Sequence, residues 1–99
     1  MTRTLLVTND FPPRPGGIQS YLHALATRLP DLVVYAPAWD GAREFDAAQP
    51  FPVVRHPSSL MLPTPAVARR AREILRAEAC EAVWFGAAAP LALLGPSLR

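Results

Sequence analysis

The sequence predicts an α/β domain built on a largely parallel sheet, and three observations carry that prediction. Short apolar runs recur along the chain: Leu5-Leu6-Val7, Leu32-Val33-Val34-Tyr35-Ala36, Val53-Val54 and Ala82-Val83-Trp84-Phe85. Longer segments with apolar residues at helical spacing fall among them, at 18–29 and 65–79. A loop rich in proline and glycine joins the first run to the first helical segment. Strands alternating with helices in this way form βαβ units, in which parallel strands need crossover connections.

Each element has its own justification. Residues 3–8 form the first strand, apolar nearly throughout, as suits a strand covered on both faces. Residues 18–29 form the first helix, with Ile18, Leu22, Leu25 and Leu29 expected on its buried stripe. It ends near Leu29, because Pro30 disfavours helical backbone in the residue before it. Residues 32–36 are the second strand, closed by Pro37, and residues 39–52 read as polar and turn-rich around Asp40-Gly41. Residues 53–55 are a short third strand, followed by an irregular connection over 57–65. The next helix covers 65–79, with Thr64 as N-cap and Pro65 at its first position. Residues 82–85 form the fourth strand, ending at Gly86. Ala87-Ala88-Ala89-Pro90 then leads into an apolar helix that has barely begun at Arg99, and no internal repeat is evident.

Composition narrows the function classes. The 99 residues are 51% apolar and 18% charged, which is globular rather than disordered and sufficient for one small domain. All ten basic residues are arginine, yet the net charge is only +2. Without aromatic-basic interleaving, that balance does not indicate nucleic-acid binding. The lone Cys80 excludes an internal disulfide and reads as a packed thiol. The brief apolar run before Asn9 and Asp10 does not make a secretory signal. The apolar stretch 82–95, broken by Gly86 and Pro90, falls short of the roughly 20 residues of a spanning helix. The expectation is a soluble, cytoplasmic chain.

The chemistry concentrates in the loop Thr8-Asn9-Asp10-Phe11-Pro12-Pro13-Arg14-Pro15-Gly16-Gly17-Ile18-Gln19-Ser20-Tyr21. Three prolines restrict it, and two glycines deliver the chain into a helix without a Cβ between the backbone amides and an incoming group. The first N–H groups of a helix lack intrahelical partners and carry the positive end of its dipole, so a phosphate suits them. The loop is neither G-x-G-x-x-G nor a Walker A sequence, and a tight turn alone would also use paired glycines. In a parallel sheet, ligands sit beyond the carboxyl ends of the strands. There residues 9–19, 36–40 and 86–90 would converge.

Three blocks carry a family resemblance: Asn9-Asp10-Phe11-Pro12-Pro13 with Gly16-Gly17-Ile18-Gln19-Ser20-Tyr21; Met61-Leu62-Pro63-Thr64-Pro65; and Val83-Trp84-Phe85-Gly86-Ala87-Ala88-Ala89-Pro90-Leu91-Ala92. Together they resemble the start of a family 4 glycosyltransferase of GT-B fold. They are most similar to the actinobacterial phosphatidylinositol mannoside mannosyltransferases that use GDP-mannose. The resemblance implies that residues 1–99 are an incomplete, acceptor-side, Rossmann-like N-terminal domain. The C-terminal donor-binding domain would be absent. It also implies a retaining, metal-independent transfer of a hexose, with mannose expected, from a nucleotide sugar to a phospholipid-linked acceptor.

Carried over residue by residue, Gly16 and Gly17 would offer N–H groups to the donor diphosphate. Gln19 would bond the donor or acceptor sugar, and Asn9 and Asp10 would line the acceptor side. The plainer alternatives are a solvated first-turn Gln19 and an Asx turn at Asp10. The family's catalytic histidine block and the cationic and glutamate-rich motifs of its second domain have no counterpart here. No catalytic residue or metal ligand is therefore expected in this chain, and alone it should transfer no sugar. His23 reads as a surface residue, and His56 as structural or exposed. Arg69, Arg70, Arg72 and Arg76 give the second predicted helix a basic side, which is either a solvated face or a contact for anionic headgroups at the inner face of the plasma membrane. Two other readings remain open: a non-catalytic remnant of a transferase, and a small α/β phosphate-binding module.

Overall fold

A computed structural model describes residues 3–86. It contains a four-stranded sheet, β1 (Thr4–Val7), β2 (Leu32–Pro37), β3 (Val53–His56) and β4 (Ala82–Phe85), in the spatial order β3-β2-β1-β4. Every neighbouring pair is parallel: Leu5 lies opposite Val33 and Val83, and Tyr35 opposite Val54. The predicted α/β class therefore holds, with β1 and β2 in the centre. The predicted strands match within a residue or two, and β3 runs on to His56.

Alternation along the strands divides the core into two layers. Leu5, Val7, Val33 and Tyr35 pack with Val67, Ala68, Ala71 and Ile74 of α3 (Pro65–Ala77) and with Met61. Leu6, Leu32, Val34 and Ala36 pack on the other face with Leu22 and Ala26 of α1 (Gly17–Arg28), joined by Phe11 and Phe51. Tyr35 and Met61 are fully buried, and burial pushes the Tyr35 phenol above its ordinary pKa. Cys80 is half-buried against the α3 layer, where desolvation raises its thiol, so it stays protonated as a packing group.

The helices depart from expectation in three places, one of them the end of α3, which was expected to reach Ala79 and stops at Ala77 because Ala79 is left-handed. The buried face of α1 is Gln19, Leu22 and Ala26, whereas Ile18 is 54% exposed and Leu29 39% exposed. Periodicity gave the helix its phase only to within one position. The small Ala26 lets α1 approach the sheet, and Gln19 turns inward because it has polar partners at the loop. The segment 39–52 is not all turn: it holds a short helix, α2 (Ala42–Ala47), begun by Gly41 in the left-handed conformation at φ 81°. The Asp40-Gly41 signal is thus the start of that helix, whose Phe45 packs against the α1 layer.

The N-terminus of α3 forms as its sequence predicts, with the Thr64 side chain accepting the Val67 N–H at 3.2 Å and Pro65 in the first turn. At its other end, Cys80 N–H donates to Leu75 O at 2.9 Å and Ala79 N–H to Arg76 O at 3.2 Å. This double closure requires a left-handed residue, and Ala79 occupies that position at φ 53°. An alanine pays a steric cost there that glycine does not. Ala79→Gly is therefore expected to stabilise the fold by about 0.5–1 kcal/mol, read as a higher midpoint in chemical denaturation. A lower midpoint would contradict this account of the helix end.

Candidate functional site

Because all four strands are parallel, their carboxyl ends share one edge, and the loops after β1, β2 and β3 meet there. Gly86 brings the end of β4 to the same edge: its N–H donates to Val7 O at 3.1 Å. A Cβ on Gly86 would come within 3.0 Å of Leu22 Cδ1 and 3.2 Å of the Thr8 side chain. Residues 87–90, the rest of the predicted third segment, lie outside the described residues. So do the predicted helix after Pro90 and its Leu91, Leu93 and Leu94.

The loops are locked together by side chains. Arg55, at the end of β3, makes a two-pronged ion pair with Asp46 of α2, Nη2 to Oδ1 at 2.8 Å and Nε to Oδ2 at 3.0 Å. The same guanidinium donates to Pro12 O at 2.7 Å and to Pro37 O at 2.9 Å. The pair is largely shielded, with side chains 14% and 18% exposed. Prolines present carbonyl acceptors but no N–H, so a loop rich in them needs donors from outside. The sequence reading assigned Arg55 no role. Its only trace in the sequence is a charged residue ending an apolar strand.

A second tie spans β1 and the connection after β3. Asn9 Nδ2 donates to Met61 O at 2.9 Å, and Met61 N–H donates back to Asn9 Oδ1 at 2.7 Å. Both ends of the Asn9 amide are thus engaged by one residue's main chain, and Asn9 is only 9% exposed. Asp10 N–H donates to Thr8 Oγ1 at 2.9 Å, and Asp10 Oδ1 accepts from Gln19 Nε2 at 3.1 Å. Gln19 is therefore not a solvated first-turn residue: it is 7% exposed and folded over Gly16.

Gly16 is required where it stands. Its φ is 146°, and an added Cβ would collide with the Gln19 carboxamide. It is the N-cap of α1, and no side chain caps the helix. Among the described residues, neither a carbonyl nor a side chain accepts the N–H of Gly17. Ser20 N–H is the first to be satisfied, by Gly16 O at 3.1 Å. A Cβ at Gly17 would meet nothing within 4 Å, so that face of the helix start is open. The arrangement can receive an anion on backbone N–H groups at the positive end of a helix dipole.

His23 departs from its predicted surface position. It is half-buried, its Nε2 lies 2.7 Å from Gln49 Oε1, and its ring sits 5.1 Å from that of Phe45 and 6.1 Å from that of Phe11. The short helix α2, which the sequence did not reveal, supplies that cover. His56 has a structural neighbour, with Nδ1 3.4 Å from the Tyr35 hydroxyl. Among the described residues, no group of three or more His, Cys, Asp and Glu could hold a metal ion.

On α3, opposite the buried Val67, Ala71 and Ile74, the spacing of Arg69, Arg72 and Arg76 sets them on one stripe at roughly 100° per residue. Arg70 lies to the side, 3.6 Å from Glu73. The predicted basic side is real, though only three of its four arginines share a line.

Removing the Arg55 side chain would leave the Asp46 carboxylate and two loop carbonyls without their donor. Arg55→Ala should cost about 2–3 kcal/mol in urea denaturation. Arg55→Lys should recover less than half of this, because an ammonium cannot reproduce the planar fork.

No protein-family profile matches the chain. The chain is 58% identical over 101 residues to the GDP-mannose-dependent α-(1-6)-phosphatidylinositol monomannoside mannosyltransferase of Mycolicibacterium smegmatis, an alignment covering 96% of this chain and 26% of that protein. It is 55% identical over 107 residues to the protein of the same name from Mycobacterium tuberculosis, covering 100% of this chain and 28% of that one. It is also 50% identical over 101 residues to the GDP-mannose-dependent monoacylated α-(1-6)-phosphatidylinositol monomannoside mannosyltransferase of Corynebacterium glutamicum, covering 98% and 26%. The chain spans about a quarter of the length of these curated relatives. Over nearly its whole length, then, the chain is similar to one part of proteins named GDP-mannose-dependent phosphatidylinositol monomannoside mannosyltransferases.

Proposed function

We propose that this chain is the acceptor-side, N-terminal part of a retaining mannosyltransferase of GT-B fold, family 4, which moves mannose from GDP-mannose to a phosphatidylinositol mannoside. The observation that carries the reading is 58% identity across 96% of the chain to a transferase so named. The open helix start at Gly16-Gly17 supports it, because charge builds on the departing nucleoside diphosphate and preorganised N–H groups stabilise that charge without reorganising. Recognition of the base and closure over the donor belong, in this reading, to a second domain of the whole protein.

The chain's own residues would then divide the work. Gly16 supplies the backbone turn, and Gly17 with the residues after it supplies the N–H groups. Gln19 holds Asp10 through Oδ1, leaving Asp10 Oδ2 for an acceptor hydroxyl. Asn9, engaged with Met61, holds the loop in place on the acceptor side. The α3 arginines would face the anionic headgroups of the inner leaflet, with Leu60 and Leu62, each 49% exposed, on the connection leading into that helix. No helix among the described residues is long and apolar enough to cross a membrane.

In the full-length protein, Gly16→Ala should lower kcat for mannose transfer from GDP-mannose by about 10²-fold while the protein remains folded. A variant with the full rate would overturn the diphosphate assignment. The 99-residue chain alone should transfer no mannose, and donor-dependent product from it would refute the two-domain reading. Co-sedimentation with phosphatidylglycerol vesicles should fall several-fold when Arg69, Arg72 and Arg76 are replaced by Gln, and with neutral phosphatidylcholine it should be weak throughout. Binding indifferent to lipid charge would remove the membrane role of α3.

A further inference from the structure

The Arg55 guanidinium is almost wholly engaged inside the protein, and that limits what it can do. Nε and Nη2 donate to the two oxygens of Asp46, Nη2 also to Pro12 O at 2.7 Å, and Nη1 to Pro37 O at 2.9 Å. These bonds use nearly all of the donors that a guanidinium carries. The side chain is 14% exposed, and Asp46 matches its charge. Such a group has little left to offer a ligand. It acts on the carboxyl edge through the backbone that it holds.

That backbone leads to the open helix start. Asn9 is fixed by Met61, and Asp10 by Thr8 and Gln19. Beyond Asp10 the chain runs through Pro12, Pro13 and Pro15, which have no N–H with which to anchor themselves. The Phe11 ring packs edge-on against His23, Phe45 and Phe51 at 5.9–6.1 Å between centroids. Ring contacts of this kind seat Phe11 without fixing the direction of the carbonyl that follows. The bond from Arg55 to Pro12 O fixes it, four residues before Gly16. Proline rings lock φ, so a displacement at Pro12 is carried along the loop rather than absorbed within it.

The hold on the loop comes from across the sheet. Arg55 lies in β3, which is separated from β1 by β2, and Asp46 lies in α2. The carboxylate grips the planar fork at two points, which leaves the guanidinium one orientation toward Pro12 and Pro37. An ammonium on a lysine stem has no such fork.

We infer that Arg55, oriented by Asp46, is a positioning residue for the proposed transfer: through Pro12 it sets the direction in which the N–H groups at Gly16-Gly17 face. The inference rests on the transferase reading above. Charge on the departing diphosphate grows toward the transition state, so misdirected N–H groups lose most there. The loss then falls on kcat, whereas the KM for GDP-mannose changes little.

The test is steady-state mannose transfer by the full-length protein carrying Arg55→Lys, Asp46→Asn or both, at a temperature where circular dichroism shows each variant folded. Arg55→Lys should lower kcat about tenfold and leave the KM for GDP-mannose within about twofold. Asp46→Asn, which keeps the shape and one acceptor, should have a smaller effect in the same sense. The double variant should be no worse than Arg55→Lys, because both changes act through one tie. In NMR of the folded proteins, the Gly16 and Gly17 amide signals should move in Arg55→Lys, and those of Ala71 and Ile74 in α3 should not. A side chain that only stabilises the fold would lower the melting temperature and leave these readings alone. Undiminished kcat, a rise in KM alone, additive losses in the double variant, or unmoved glycine signals would each overturn the inference. Gly16→Ala scores the transferase reading separately. If it lowers kcat and Arg55→Lys does not, only the positioning role falls. If it leaves the rate intact while Arg55→Lys lowers kcat and moves the glycine signals, the diphosphate assignment falls and the positioning role stands.

Discussion

The loops at the carboxyl edge depend on one guanidinium. A parallel sheet ends in carbonyls and amides that the ladder no longer pairs, and here the first two loops present prolines where donors are needed. Arg55 meets two of those carbonyls while its remaining fork grips Asp46, so a single side chain ties β3, α2 and the segments after β1 and β2. The ion pair keeps the planar guanidinium aimed, which is why its contribution is positional as well as energetic. The Phe11 ring, 5.9 Å from the guanidinium carbon, closes one side of it.

The same principle repeats on the other side of the glycine loop. The Asn9 amide exchanges two hydrogen bonds with Met61, whose own side chain is fully buried in the α3 layer. The loop after β1 is therefore anchored to both faces of the sheet: to the α3 side through Asn9 and Met61, and to the α1 side through Phe11. Gln19 completes the frame by reaching Asp10. Rigid support from outside leaves the helix start free of any cap of its own. A helix start with bare N–H groups needs such support, because the loop is not stabilised by satisfying those groups internally.

Arg14 is shared between the Asn9 carbonyl and the Trp39 ring, so one side chain joins the glycine loop to the segment after β2. Loops beyond the strand ends lie past the ladder and have no neighbouring strand to hold them steady. Side chains reaching across loops give that steadiness where backbone ladders cannot extend.

The sequence alone determined the sheet, its parallel sense, the boundaries of β1, β2, β4 and α3 to within two residues, the Thr64-Pro65 helix start and the family resemblance of its three blocks. These are local signals: apolar runs, periodicity, caps and glycine positions act over a few residues and can be read without knowing what lies across the fold. Only the tertiary structure decided which face of α1 is buried, that Ala42–Ala47 is a helix, that His23 is enclosed, and that Arg55 and Asn9 are ties rather than loose polar residues. Six residues give too short a period to betray a helix, and Phe45 reveals its purpose only when Phe11 and His23 come to meet it. Partners 43 and 52 residues away are equally silent in the chain. Such pairings arise from the sheet bringing distant strand ends to one edge, and no pattern along the sequence encodes them.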